Sequence, residues 1–432
     1  MLFSNSKKRQ KRITNDFNSM IKISILNSLG FFYLGFLIPI IAKENMNASG
    51  LIVGFIVASI VIGNVASSSF SGILTDRVKS KSHLLLIGSV FRGVAYFITY
   101  FAIVINSAPM LWIGGFTIGI GAGFFWAPFD TLVSEKSNKD HRSYAFGRRD
   151  AANAIGQTIG ALFGFLFIIF VNNITTNPQI LYIPILVFGI SNFIAGFLFI
   201  KNIDETNTFE KISNVQEKEN LNKNPERSSQ IKKTNSMVIL SGTLLLFIAI
   251  LLSNINANIW RPFLNIYILE FITENLEIVI IIYLPSGIIA TLAAPKLGEL
   301  MDNVNPKVGL IITSLVGAAM TWILINTDII ILFALIVLVD ITISIAAGLL
   351  FRNLLSRITI KYRGTIMGYN NFFMNLGAII GPILGGGLWE VFGLKSPFFI
   401  SIFVELSLIP LFLIVIHILT PHIAETFQNS KS

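Results

Sequence analysis

Apolar residues fall along the chain in twelve runs separated by short polar segments. The runs cover residues 20–42, 51–74, 83–105, 110–134, 147–171 and 180–200, and then 237–268, 276–297, 307–326, 329–355, 364–389 and 397–419. A helix needs about 20 apolar residues to cross roughly 30 Å of hydrocarbon, and lipid admits only structures that satisfy their own backbone groups. The pattern therefore predicts twelve membrane-spanning helices. Nothing before the first run combines a charged segment, a short apolar core and a small-residue cleavage site, so that run reads as a retained helix rather than a signal peptide. Of the 432 residues 53% are hydrophobic and 13% charged, about half the charge density of a soluble surface. The expected fold class is an all-α integral membrane protein.

Lysine and arginine total 32. Arg92 and Arg261 lie inside runs and Lys43 and Lys395 on the far side, while all the others lie on the side of the N-terminus. Cytoplasmic segments retain positive charge, so both termini are expected in the cytoplasm of a multi-pass cell-membrane protein. The net charge of +9 follows from that topology and calls for no nucleic-acid partner. Residues 202–235 are polar with no sustained apolar stripe, which predicts a cytoplasmic linker between bundles at 1–201 and 236–432.

The halves repeat. GILTDRVKSK, Gly72 to Lys81, returns as GELMDNVNPK, Gly298 to Lys307, where Gly72, Leu74, Asp76 and Lys81 match Gly298, Leu300, Asp302 and Lys307 at an offset of 226. Arg142, Gly147, Gly156, Gly160 and Gly164 match Arg363, Gly368, Gly377, Gly381 and Gly385 at 221, and Pro39 matches Pro262 at 223. Three anchors in the same order indicate a duplicated six-helix unit.

On these residues the sequence resembles the major facilitator superfamily over essentially its whole length. The family's loop signature, G-x-L-a-D-R-x-G-R-R/K, is met by Gly72, Leu74, Asp76, Arg77 and Lys81, with Lys79 in place of the glycine and Ser80 in place of a basic residue. The resemblance implies two pseudo-twofold-related six-helix bundles that rock about a midplane site. It also implies that the loop acts as a latch, its aspartate facing a helix N-terminus in the other half. Asp76 is then expected at the start of the eleventh helix, near Arg363 and Gly364. Asp302, with Gly298 and Lys307, is expected to do the equivalent near Arg148, and Asp130 to serve as a further partner for Arg77. A carboxylate at a helix N-terminus contributes about 0.3–1 kcal/mol, and glycine lets the loop approach its partner closely.

Four ionisable residues inside the runs break the repeat: Arg92, Arg261, Asp340 and Glu405. Each costs about 2.5–3.5 kcal/mol at mid-bilayer, so all four are not expected to face lipid. Asp340 lies about twelve residues into the tenth run, roughly 18 Å along a helix and hence near the midplane. By resemblance, helices 1, 4, 7 and 10 line the central cavity, so Asp340 is expected to bind a cationic group or accept a coupling proton; a structural ion pair with an arginine is the alternative. In NINANIWRPF, Asn254 to Phe263, Asn254, Asn258 and Arg261 follow i, i+4 and i+3 spacing. They make one polar stripe beside Trp260 that either lines the outer cavity or presents a snorkelling arginine. Arg92 and Glu405 fall in helices that the family places peripherally, where a structural partner, an oligomer contact or local membrane thinning competes with a role in transport.

Glycines at i, i+4 and i+8 in the fifth and eleventh runs predict close helix crossings. GAIIGPILGG, Gly377 to Gly386, resembles a motif that the family's drug–proton antiporters carry in helix 5, where this chain has GQTIGALFGF; close packing is the preferred reading. The first run holds no carboxylate and the fourth no R-x-x-Q-G arginine, groups that many proton-driven exporters of the family carry.

Enzymatic classes fare poorly. There is no Gly-Lys dipeptide and so no P-loop, no cysteine, and only four scattered histidines, which argues against thiolate chemistry and zinc spacing. No catalytic residue, cofactor or metal is expected. The expected function is secondary active transport by alternating access, exporting amphipathic or cationic small molecules coupled to a proton gradient, as a monomer in the lipid bilayer. Uptake of a polar or anionic solute, with Arg261 and Arg92 as its clamp, is the rival. A non-transporting receptor or assembly factor on the same scaffold is a third reading.

Overall fold

The computed structural model describes residues 13–78, 80–138, 142–208, 236–358 and 363–419. The first run forms α1 (Phe17–Ser28) and α2 (Phe31–Ile40), followed by a π turn over Ile41–Asn45. Then come α3 (Gly50–Arg77), α4 (Lys81–Val104), α5 (Ala108–Glu135) and α6 (Arg142–Asn172). The sixth run is the single turn α7 (Pro178–Leu181) with α8 (Pro184–Asn202). The seventh run holds α9 (Ser236–Trp260), a 3-10 turn over Arg261–Phe263, and α10 (Leu264–Phe271). After it stand α11 (Leu276–Asn303), α12 (Pro306–Leu324), α13 (Ile330–Ile358), α14 (Arg363–Phe392) and α15 (Ser396–Leu419). Eleven stretches among the described residues are long and apolar enough to cross a membrane, and α11, at 28 residues, takes the place of the eighth run.

Three runs read as single helices are interrupted, each for a local reason. At Gly30 a Cβ would lie 2.7 Å from Phe188 Cβ, and the bare glycine lets the chain turn between α1 and α2 against that ring. Pro184 restarts the sixth run as the first residue of α8, where its missing N–H costs nothing. Pro39 lies inside α2 just before the π turn, and its repeat mate Pro262 lies inside the 3-10 turn. Proline removes a backbone donor, so helical pairing slips at both places. Conversely, α3 continues to Arg77 and α11 to Asn303. GILTDR and GELMDN are therefore the last turns of helices rather than loops, because a helix pairs its own backbone whether or not its side chains are polar.

Contacts gather the chain into two units. The first takes residues up to Leu34, Ile62–Ile105 and the stretch from Ile113 to the linker; the second takes Gly35–Val61, Asn106–Trp112 and everything after the linker. Within the first, α1 packs on α6 and α8, and α4 on α8. Within the second, α9 packs on α14 and α15, and α12 on α15, the same three pairings one repeat later. The glycine stripes make the closest of these crossings. Gly156, Gly160 and Gly164 meet Ile25, Leu29 and Tyr33, while Gly377, Gly381 and Gly385 meet Asn254, Asn258 and Ile259.

The second unit takes in the far ends of the first two spans. A Cβ at Gly50 would lie 2.7 Å from the Gly386 carbonyl, and one at Gly54 would come closer still to the Pro382 carbonyl. Asn265 donates to the Phe36 carbonyl (3.2 Å), Lys43 pairs with Glu270 (3.6 Å) and stands 4.9 Å over the Trp389 ring, and Leu51 N–H donates to Glu390 (3.2 Å).

On the side where the chain begins, the first unit is tied by two polar centres. Lys136 is fully buried and donates to Asp16 (2.5 Å) and to the carbonyls of Asp204 (2.8 Å) and Asn207 (3.2 Å). Glu205 caps α4, accepting from the Lys81 and Ser82 N–H groups (2.7 and 2.8 Å) and the Ser80 hydroxyl (2.7 Å). The residues just after α8 are thus fastened to their own bundle. Burial alone would raise the Glu205 carboxyl, but the Ser80 hydroxyl and these backbone donors outweigh it and hold it below the usual carboxylate range. A lowered folded pKa stabilises above the ordinary Glu value of about 4.3 and is lost as pH falls through the folded value. Glu205→Gln should cost about 1 kcal/mol near neutral pH, read as a lower thermal midpoint of the detergent-solubilised protein. Its gap to wild type should close below about pH 4.

Candidate functional site

A cavity of about 250 Å³ opens inside the second unit, between the end of α9 and the helices α12 to α15. The interruption at Pro262 places Arg261 at its wall, in the 3-10 turn, beside Trp260. Trp260 packs against Phe398 of α15 with ring centres 5.4 Å apart and planes inclined by 42°, which fixes the aromatic part of the wall. Ile250, Ile343 and Met374 supply apolar surface; Asn254, Asn256, Thr313, Ser344 and Ser401 supply neutral polar groups. An apolar pocket with few placed polar groups is the usual form of a small-molecule site.

Two carboxylates share the cavity: Asp340 of α13 and Glu405 of α15. Asp340 is 6% exposed, and its Oδ2 has no hydrogen-bond partner among the described residues. Glu405 Oε2 accepts from Asn256 Nδ2 at 2.6 Å, with the Ser314 hydroxyl beside it. Arg261 acts electrostatically on both and on Tyr283 of α11, yet among the described residues it forms no direct ion pair. One guanidinium thus faces two carboxylates across open space.

The structure brings together Asp340, Glu405, Arg261, Asn254 and Trp260. It separates others. Asn258, expected on the same stripe, turns to α14, where Gly381 would set a Cβ 2.7 Å from its own. Asn254 and Asn258 do share a face, both set against the α14 glycines, and the Asn258 amide donates to the Asn254 carbonyl (2.8 Å) instead of into the cavity. Asn256, two residues earlier, takes the place in the cavity and was passed over in the sequence because its spacing to Arg261 fits no single helical face.

Arg92 belongs to the first unit and is 1% exposed. It donates to Asn27 Oδ1, Asn27 donates to Ser89 (2.9 Å), and the guanidinium lies 5.9 and 5.7 Å from the Phe31 and Phe125 rings. Gly121 clears the space for it, since a Cβ there would lie 2.5 Å from Arg92 Cγ. Of the alternatives weighed for this residue, the geometry matches a structural partner between helices: no carboxylate among the described residues pairs with it.

Of the gate residues, the side chains of Asp76, Asp302 and Arg363 and the surroundings of Gly298 and Gly364 lie outside the described residues. Among the described residues a Cβ at Gly72 would meet nothing within 4 Å, and the surroundings of its expected partner at the start of the eleventh helix lie outside them. Asp130 pairs with Arg149 rather than Arg77, because α6 carries Arg149 past the end of α5. Arg77 is exposed at the end of α3. Arg148 donates to Asn18 (2.9 Å), Lys81 pairs with Glu135 (3.0 Å), and the Lys307 N–H is capped by Asn305 (3.0 Å).

The profile described as Major Facilitator Superfamily matches residues 22–373 and 246–430. The chain is 25% identical to Multidrug resistance protein MdtG of Dickeya zeae (strain Ech586), covering 87% of this chain and 86% of that one. It is 23% identical to Multidrug resistance protein 2 of Bacillus subtilis (strain 168), covering 91% and 94%. Among solved structures, a bacterial homologue of the human lysosomal transporter Spinster, inward-facing and occupied, aligns with a TM-score of 0.73 at 12% identity over 93% of this chain and 96% of that one. The nucleoside transporter NupG aligns at 0.71 and 12% identity over 93% and 99%.

The crossing of α9 and α14 holds the cavity wall, and its tightness is testable. At Gly385 an added Cβ would collide with the Ile259 carbonyl, whereas at Gly387 it would meet only Leu51 Cδ1, at 3.9 Å. Gly385→Ala should destabilise by about 2 kcal/mol, and Gly387→Ala by no more than about 0.5 kcal/mol. Thermal midpoints of the purified variants give the comparison.

Proposed function

The chain belongs to the Major Facilitator Superfamily, and from that premise we propose that it is a secondary transporter exporting amphipathic, cationic small molecules in exchange for protons. The observation that carries this reading is Asp340: a buried acid on the wall of a partly apolar cavity, with an oxygen that nothing among the described residues satisfies. An unsatisfied buried carboxylate oxygen is costly, and the deficit is removed either by a proton or by a cation. The two occupants compete, which is the linkage an exchanger needs. For net movement, each must also differ in affinity between the two states of the cycle.

The surroundings support a cationic, amphipathic cargo. Two carboxylates against one arginine leave the described wall with an excess of negative charge, and Trp260, Ile250, Ile343 and Met374 offer apolar contact. The names of the MdtG and Bacillus relatives point the same way. Anion uptake through an Arg261 clamp would have to work against both carboxylates. On this reading the protein works in the cell membrane as a monomer, and its asymmetric lysine and arginine loops support cytoplasmic termini. Alternating access then proceeds by rocking of the repeat units, each held together internally by its glycine crossing.

Purified protein in proteoliposomes tests this. Adding ethidium to the wild type should move protons across the membrane, and Asp340→Asn should reduce that movement to background while ethidium exchange continues. Arg261→Ala should leave proton movement in place. Proton movement kept by Asp340→Asn and lost in Arg261→Ala would shift the assignment to anion uptake.

A further inference from the structure

Resting on that reading, we infer that the two carboxylates of the cavity have separate tasks: Glu405 recognises the positive charge of the cargo, and Asp340 exchanges the proton. Their surroundings differ in one respect that matters chemically. Glu405 is supplied with donors, the Asn256 amide at 2.6 Å and the Ser314 hydroxyl, so its carboxylate is solvated by neutral groups and held in one orientation. Asp340 has no such donor on Oδ2. A group whose oxygen lacks a donor gains most from taking up a proton; a group already solvated by neutral donors keeps its charge available for a cation.

The space beside Glu405 fits that task. Gly317 of α12 lies across from it, and a Cβ there would stand 3.9 Å from Glu405 Cγ and Oε1, at ordinary contact distance. The bare glycine leaves Oε1, the oxygen not held by Asn256, with no side chain over it from that position. Asn256 adds a second acceptor. It is 4% exposed, and its Oδ1 is unpartnered among the described residues. Asp340 Oδ2 and Asn256 Oδ1 are thus two buried acceptors of the wall that no donor among the described residues satisfies. Arg261 is the basic residue of the described wall, and it reaches neither carboxylate directly. Asn256 is a positioning residue here, acting through Glu405.

The same arrangement has a counterpart of opposite sign. In the first unit Asn27 of α1 holds Arg92 of α4, whereas in the second Asn256 of α9, the repeat partner of the first span, holds Glu405 of α15. An asparagine from the first span of each unit thus orients a charged group. In the first unit that group is enclosed by aromatic rings, and in the second it borders a cavity. Only the second is placed to meet a cargo.

The test is counterflow in proteoliposomes without a pH gradient, with ethidium as a permanent cation and chloramphenicol as a neutral molecule. Glu405→Gln is near-isosteric and can still accept from Asn256, so gel filtration and thermal midpoint serve as the folding control. It should lower ethidium counterflow about tenfold, the effect of losing one charge contact, and so reduce the ethidium-to-chloramphenicol ratio. Glu405→Asp should recover most of the ethidium rate, and ethidium-driven proton movement per molecule exchanged should be unchanged in both. Ethidium counterflow within twofold of wild type in Glu405→Gln overturns the assignment. Equal loss of both molecules in the folded variant does so too, as does loss of proton movement per ethidium. In each of these cases the Asp340→Asn result still judges the exchanger reading separately, and a wild type that exchanges neither molecule removes both.

Discussion

A carboxylate oxygen without a hydrogen bond, set on a helix inside the membrane, is the constraint from which the arrangement of the second unit follows. Asp340 cannot face lipid without a cost of roughly 2.5–3.5 kcal/mol, and it cannot be left in a dry, closed core. The protein answers with a cavity. α9 stops at Trp260 and Pro262 converts the next turn, so the wall that would have been continuous helix becomes an irregular turn carrying Arg261. Irregular backbone at membrane depth is tolerated where it is buried in protein or lines such a space. The tight glycine crossing of α9 with α14 keeps that turn in place.

Duplication supplies the scaffold, and departures from it supply the chemistry. The three helix pairings of the first unit recur in the second, and so do the glycine stripes. What does not recur is the charge. Arg92 is sealed by Asn27 and two phenylalanine rings, a cation stabilised by carbonyl and ring contacts. Glu405 and Asp340 border open volume. One unit thus spends its buried charge on internal cohesion, and the other keeps its charges available. Lys136 and Glu205 act in the same way at the membrane edge, tying the stretch after α8 to its bundle.

Much of this was legible in the sequence. Twelve apolar runs, the offsets near 223 and the glycine spacing specify the helices, their duplication and their closest crossings, because each depends on a period that survives translation along the chain. Asp340 and Glu405 stood out because a charge in an apolar run is conspicuous. Asn256 did not, since an asparagine among asparagines carries no signal until a partner from α15 lies 2.6 Å away. Asn258 stands on the face expected of it but spends its amide on the Asn254 carbonyl, which spacing does not reveal, and the ends of α3 and α11 were misplaced by taking polarity for the end of a helix. The pairing of Asp130 with Arg149 depends on how α5 meets α6, and tertiary approach of that kind leaves no local pattern.

The claim that everything else serves is that a cation entering the cavity displaces the proton of Asp340. It is tested most directly by proton release from the purified wild-type protein in weakly buffered detergent solution on saturation with ethidium. Linkage predicts protons released on binding, rising towards about one per protein as the starting pH is lowered. Saturable ethidium binding with no proton released at any pH would contradict it.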